Sequence, residues 1–60
     1  MTKYTIVLVT PGRTSMYYTE DIESAETIEH NIRNEHEIES SFSTGEIDGD
    51  EYTVVFNVLE

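Results

Sequence analysis

The stretch Thr-Lys-Tyr-Thr-Ile-Val-Leu-Val-Thr at residues 2–10 decides the fold of this 60-residue chain. Its residues are mostly β-branched or apolar, which is typical of a strand inside a sheet. Pro11 and Gly12 then break the pattern, because proline cannot donate a hydrogen bond to a β-ladder. Residues 14–19 resume a strand pattern with one methionine and two tyrosines. The first third of the chain therefore predicts a β-hairpin with a loop of about three to four residues.

Helical periodicity replaces the strand pattern after Thr19. The apolar residues spaced along one helical stripe are Ile22, Ala25, Ile28 and Ile32, continued by His36. Thr19 or Asp21 can cap the start of this helix, since their side-chain oxygens accept hydrogen bonds from free backbone N–H groups. The pattern predicts that the helix ends between Asn34 and Ile38.

The last third of the chain predicts a second hairpin. Residues 38–47 are polar and serine-rich apart from Phe42, as in an edge strand, and Gly45 interrupts their alternation and predicts a bulge. Asp48-Gly49 is a two-residue turn signal, and residues 52–59 (Tyr-Thr-Val-Val-Phe-Asn-Val-Leu) predict a strong strand. The whole pattern predicts one α+β domain over residues 1–60, ordered β-β-α-β-β, with one helix packed on a four-stranded, mainly antiparallel sheet.

The first and last strands are apolar on both faces, so they form the natural central pair of the sheet. A single helix covers only one of those faces and leaves an apolar patch on the other. The residues expected on this uncovered face are Val7, Val9, Tyr17, Val55 and Leu59. Because 60 residues without cysteine lie near the lower size limit for independent folding, the patch predicts a homodimer that pairs through it.

Charge is distributed very unevenly along the chain. Residues 1–19 carry +2 and residues 20–60 carry −12, for a net charge of −10. A strong, one-signed field of this kind selects basic partners and is repelled by nucleic acid phosphates and anionic lipid. The composition therefore predicts a basic protein partner, no direct binding to nucleic acid and no binding to membranes.

Carboxylates one helical turn apart are about 5–6 Å from each other, a spacing that can stand in for neighbouring phosphates. The residues expected to form such a partner-binding acidic surface are Glu20, Glu23, Glu26, Glu29 and Glu37 on the helix side, and Glu46, Asp48, Asp50 and Glu51 at the second hairpin tip. Two alternatives stay open: a surface that only keeps a small protein in solution, and adaptation to high salt. Glutamate outnumbers aspartate ten to three, which disfavours the second alternative.

Catalytic and metal-binding signals are weak throughout. His30 and His36 are six residues apart, which turns them about 120° from each other on a helix. We expect His30 to pair with Glu26 and His36 to border the core. The turn at residues 48–51 lacks the alternating ligands of a calcium loop, and no nucleophile elbow or glycine-rich phosphate loop is present. The sequence predicts a non-enzymatic protein without metal or cofactor.

The sequence also predicts a cytoplasmic location. The longest apolar run, residues 6–9, is far too short to span a bilayer, and the N-terminus lacks the features of a signal peptide. The absence of cysteine fits a reducing compartment.

Residues 3–8 (Lys-Tyr-Thr-Ile-Val-Leu), followed by Tyr17-Tyr18 and the helical segment Glu-Ser-Ala-Glu at 23–26, resemble the start of HicB-type antitoxins. That resemblance covers about thirty residues and implies a small β-β-α-β protein that blocks a partner. The proline-glycine-cysteine segment typical of the family is missing, and no site residue is carried over. In overall character the chain is similar to the tiny acidic proteins that bacteriophages encode to disable host enzymes, whose place of action is the host cytoplasm.

Overall fold

The computed structural model describes residues 2–45 and 51–59. Its elements, in chain order, are β1 (Lys3–Thr10), β2 (Arg13–Thr19), α1 (Ile22–Glu35), β3 (Ile38–Gly45) and β4 (Glu51–Val58). The four strands form one sheet in the order β2-β1-β4-β3. β1 and β4 pair in parallel, and the two outer pairs are antiparallel. The predicted α+β fold, the central β1–β4 pair and the edge position of β3 are confirmed.

The first hairpin is tighter than the sequence pattern predicts. Thr10 pairs directly with Arg13, so Pro11 and Gly12 alone form the loop. Gly12 has φ +85° and the proline ring fixes a negative φ, which together match a type II turn. The Thr10 hydroxyl also donates to the Arg13 carbonyl oxygen at 3.0 Å. Glycine makes the short loop possible because it adopts positive φ without steric cost.

Helix α1 begins and ends where the sequence predicts. Asp21 is its N-cap, and its carboxylate accepts from the backbone N–H groups of Glu23 and Ser24, each at 3.3 Å. His36 is the C-cap, and its N–H donates to the carbonyl oxygen of Ile32 at 3.0 Å. These contacts satisfy backbone groups that a helix terminus otherwise leaves without partners.

The core lies between the helix and one face of the sheet. Its buried residues come from alternate positions of β1 and β4 and from two positions of α1: Tyr4, Ile6, Leu8, Ala25, Ile32, Val54, Phe56 and Val58. Ile6 and Phe56 are both 0% exposed and form its centre. This alternation confirms which residues of the central strands face the helix.

The bulge predicted at Gly45 lies at the other end of β3. The register shift falls between Ile38 and Ser40, whereas Gly45 stays opposite Tyr52. Gly45 has φ +86°, and a Cβ at this position would collide with the carbonyl oxygen of Glu51. Glycine is therefore needed here for its backbone conformation and for a close approach between strands. The predicted Asp48-Gly49 turn lies outside the described residues.

Helix α1, the one helix of residues 2–45 and 51–59, has 14 residues and is too short and too polar to span a bilayer.

Candidate binding surfaces

The first candidate surface is the acidic helix layer, which we define as residues 20–39. It contains one cation, Arg33, and eight acids: Glu20, Asp21, Glu23, Glu26, Glu29, Glu35, Glu37 and Glu39. All of these acids except Glu29 are exposed. Glu23 and Glu26 are one helical turn apart on the solvent side of α1, as the sequence predicts. The layer thus carries seven exposed carboxylates and a single cation.

Arg33 is engaged with the core. Its guanidinium carbon lies 4.9 Å from the centroid of the Phe56 ring, within the range of a cation–π contact. The side chain thereby covers the buried ring with its planar charged group. Arg33 itself remains exposed, so its charge is the one positive charge within the acidic helix layer.

Glu29 differs from the other predicted acids, because it is half-buried and not fully on the solvent side. Loss of hydration raises the pKa of its carboxyl above the ordinary value of 4.5, and the nearby Glu26 raises it further. The Arg33 charge acts in the opposite direction without cancelling the effect. Glu29 therefore lies at the border between the acidic surface and the core.

Glu29→Gln is expected to stabilise the fold at pH 7. Since the pKa is raised on folding, the charged carboxylate disfavours the folded state above that pKa, and the penalty disappears as pH falls below the unfolded value. Urea unfolding of the wild type and the variant at pH 7 and at about pH 4 measures the difference. A gain at pH 7 that vanishes at the lower pH is expected. An equal or larger gain at the lower pH would contradict this account of Glu29.

The two histidines occupy different environments. His36 is half-buried at the end of the helix, in keeping with its predicted position at the core border. His30 is exposed, and its Nε2 forms a hydrogen bond of 2.9 Å with the Asn34 side chain instead of the predicted pairing with Glu26. Asn34 is one turn farther along the same helix and reaches the ring from the C-terminal side. Within the described residues, no three histidine or acidic side chains converge to hold a metal ion.

The predicted acidic residues do not form a single cluster. Glu20 and Glu51 lie at the sheet end where α1 begins, and they line a shallow depression together with Lys3. Glu37 lies near the opposite end of the helix, where its carbonyl oxygen accepts the N–H of Leu59 at 3.1 Å. The remaining predicted acids are outside the described residues: Glu46, Asp48 and Asp50. The acidic residues that share one continuous exposed face are therefore those of the helix start.

The second candidate surface is the open sheet face, which we define as the face of the sheet opposite α1. The strand registers align one apolar row straight across its four strands: Met16, Val7, Val55 and Phe42. Met16 and Phe42 at the two ends are 52% and 56% exposed. Among the strand residues that the registers place on this face, only Lys3 and Glu51 are charged, and they are neighbours in the register at one end of the sheet. The open sheet face is thus nearly neutral and lies opposite the acidic helix layer.

The predicted members of this face are partly correct. Val7, Val9 and Val55 occupy open-face positions, and Leu59 is 47% exposed just after β4. The prediction that Tyr17 lies on the open sheet face is wrong, because Tyr17 pairs with Ile6 on the side of the sheet that α1 covers.

Side chains alternate along a strand, so Met16 and Tyr18 take the open face instead. The tight loop is the reason. A two-residue turn fixes which residues of β2 face α1, and a loop one residue longer would turn the alternate residues to that face. The Tyr18 hydroxyl also lies 3.5 Å from the sulfur of Met16, so these two side chains are in contact on this face. A two-residue loop, if it had been predicted from Pro11-Gly12, would have placed Met16 and Tyr18 on the open sheet face.

Comparisons with protein-family models, curated proteins and solved structures return no significant match for this chain.

Proposed function

We propose that this chain is a small, non-enzymatic binding protein whose acidic helix layer, through its acids at the helix start, occupies the basic surface of a partner and thereby inhibits or regulates it. The observation that carries the proposal is the near-absence of cations from that layer, where eight acids accompany a single cation, Arg33. The partner that fits this chemistry is a nucleic-acid-binding protein acting in the cytoplasm, which is the host cytoplasm for a phage-encoded chain.

The mechanism is occlusion by charge mimicry. Glu23 and Glu26 are exposed on successive helical turns, and their carboxylates take the places that phosphates occupy in a basic groove. The Asp21 cap and the packed isoleucine stripe hold the helix in a fixed position, so little ordering entropy opposes binding. Attraction between opposite charges makes such an association fast and strongly dependent on salt.

Affinity capture from lysate at low and high salt tests the proposal. The immobilised chain should retain a basic protein at low salt and release it at high salt, because the contacts are ion pairs. Added DNA or RNA should release the same protein, since the acidic layer and the nucleic acid compete for one groove. Retention of no basic protein at low salt would contradict the proposal, as would retention that nucleic acid leaves unchanged.

A second candidate function is assembly through the open sheet face, as in a structural or antitoxin-like protein. The apolar row from Met16 to Phe42 favours it, because four aligned apolar side chains on a neutral face suit contact with another protein surface. Under this candidate, neutralising Glu23, Glu26 and Glu29 together leaves function intact, and Val55→Asp abolishes it. The acidic proposal expects the first of these changes to weaken function.

A further inference from the structure

Within the described residues, no strand pairs with the outer edge of β2. β2 is the last strand on its side of the sheet, and all seven of its residues pair in even register with β1. Natural edge strands are usually protected by a proline, a lysine, a bulge or an inward-pointing charge. Residues 14–19 contain no proline and no charged residue, and Met16, Tyr17 and Tyr18 are exposed on them. Apart from Arg13 at its start, this edge therefore has none of the common barriers to pairing with another strand.

The hairpin turn fixes which backbone groups of β2 point outward. Residues 11–12 form a hydrogen-bonded turn, so the flanking Thr10 and Arg13 are a hydrogen-bonded pair. Hydrogen-bonded and non-bonded pairs alternate along an antiparallel ladder. The N–H and C=O groups of Thr14, Met16 and Tyr18 consequently point away from β1. These three residues can accept a new strand.

The charges at the two ends of β2 are complementary to each other. The strand begins with Arg13, and Glu20 and Asp21 follow its last residue. If two copies of β2 pair antiparallel, the arginine of each lies beside the acids of the other. Parallel pairing would instead bring like charges together. Since each copy carries −10 overall, the acid-free first hairpin is also where two copies approach with the least repulsion.

The opposite edge of the sheet is less suited to self-pairing. β3 has a register irregularity between Ile38 and Ser40, and an irregular strand pairs poorly with a new neighbour. Residues 37–45 contain two acids and no cation, so antiparallel pairing of two such strands brings no opposite charges together. Of the two edges, β2 is the one that a second copy of this chain fits.

The open sheet face alone makes a poor dimer interface. Four strands about 4.8 Å apart, with eight residues rising about 3.3 Å each, form a face of roughly 500 Å². Two such faces bury roughly 1,000 Å² together, which is below the usual range of about 1,200–2,000 Å² for a stable complex. Pairing at the β2 edge buries less area still, so its affinity has to come from main-chain hydrogen bonds and complementary end charges.

We propose that two copies of this chain pair antiparallel through the outer edge of β2, centred on Met16, to form one eight-stranded sheet. In this register Thr14 faces the partner's Tyr18, and Met16 faces the partner's Met16. The three outward pairs exchange about six backbone hydrogen bonds. The apolar rows of the two copies join end to end on one continuous face. The proposal does not rest on what the acidic helix layer binds, and only the first two acids of that layer, Glu20 and Asp21, lie beside this interface.

Analytical ultracentrifugation of two variants tests this interface. Met16→Pro removes an outward N–H, and proline is tolerated at such a position of an edge strand. We expect the wild type to be a dimer, Met16→Pro to be a monomer with an unchanged circular dichroism spectrum, and Val55→Asp on the open face to remain a dimer. A monomeric wild type overturns the proposal. It is also overturned if the folded Met16→Pro variant is dimeric, or if Val55→Asp alone dissociates the dimer.

Charge reversal provides a second test that leaves the strand backbone unchanged and remains decisive if Met16→Pro does not fold. Arg13→Glu replaces the cation at each end of the paired strands with a third acid beside Glu20 and Asp21, so the dimer should weaken at least about tenfold at low salt. Adding Glu20→Lys should restore much of the affinity, because opposite charges again lie side by side. Equal dimer affinity in the wild type, the single variant and the double variant would overturn the antiparallel β2 pairing.

Discussion

Phe56→Ala is expected to unfold the isolated chain. Phe56 is 0% exposed at the centre of the core, which has eight buried residues in the described part of the chain, and the Arg33 guanidinium lies over its ring. Removing a buried phenylalanine costs about 3–5 kcal/mol, and a single core in a chain of this size supplies about 3–5 kcal/mol in total. Urea unfolding followed by circular dichroism should therefore show no cooperative transition for the variant.

Phe42→Ala is the matched control, because it makes the same chemical change at the other phenylalanine. Phe42 is 56% exposed on an edge strand, so its truncation should cost less than about 1 kcal/mol. The two variants make the same chemical change at a buried and at an exposed site, so a difference in their stability reports the effect of burial. A cooperative transition near the wild-type midpoint for Phe56→Ala would contradict the described core, and so would equal losses for the two variants.

Much of the fold is predictable from local sequence patterns. Alternation in the first and last strands identified the residues that face the helix, because each strand has period two and a strong apolar composition. The spacing from Ile22 to Ile32 and the capping oxygen of Asp21 located the helix. These signals are strong because they depend on neighbouring residues alone.

The features that the sequence did not predict depend on contacts between distant residues. Which residues of β2 face α1 follows from a loop one or two residues shorter than expected, and that difference places Tyr17 on the covered face. Glycine is required at residue 45 because the backbone there lies close to the carbonyl oxygen of Glu51 on the neighbouring strand. Arg33 meets Phe56 across more than twenty residues of chain, and charge counting alone gives no sign of this contact.

The candidate acidic surface was predictable as a charge but not as an arrangement. Residue counts show the excess of acids in the chain after Thr19. Only the fold shows that Glu20 and Glu51 share one end of the sheet, that Glu37 lies near the other end, and that Glu29 is half-buried. The exposed pair Glu23 and Glu26 is therefore the centre of the proposed contact.

The double variant Glu23→Gln/Glu26→Gln is expected to lose most of its affinity for the captured basic partner. Both side chains are exposed, so the change should leave the core intact. Each carboxylate is proposed to replace a phosphate, and the loss of two such contacts should weaken binding at low salt by at least about tenfold, or about 1.4 kcal/mol. The salt dependence of binding should become shallower, because fewer ion pairs form.

The matched control is Glu35→Gln/Glu39→Gln, which changes the net charge by the same amount. Both residues are exposed, but they lie at the end of α1 and at the start of β3. If the partner responds only to net charge, the two double variants behave alike. If the partner contacts the start of α1, the Glu23/Glu26 variant should bind more weakly than the Glu35/Glu39 variant.

The affinities of these two double variants for the captured partner, measured by isothermal titration calorimetry at low salt, test the central claim most directly. The account predicts a loss of at least about tenfold for the Glu23/Glu26 variant and less than about twofold for the Glu35/Glu39 variant. Equal affinities for the two variants would contradict it.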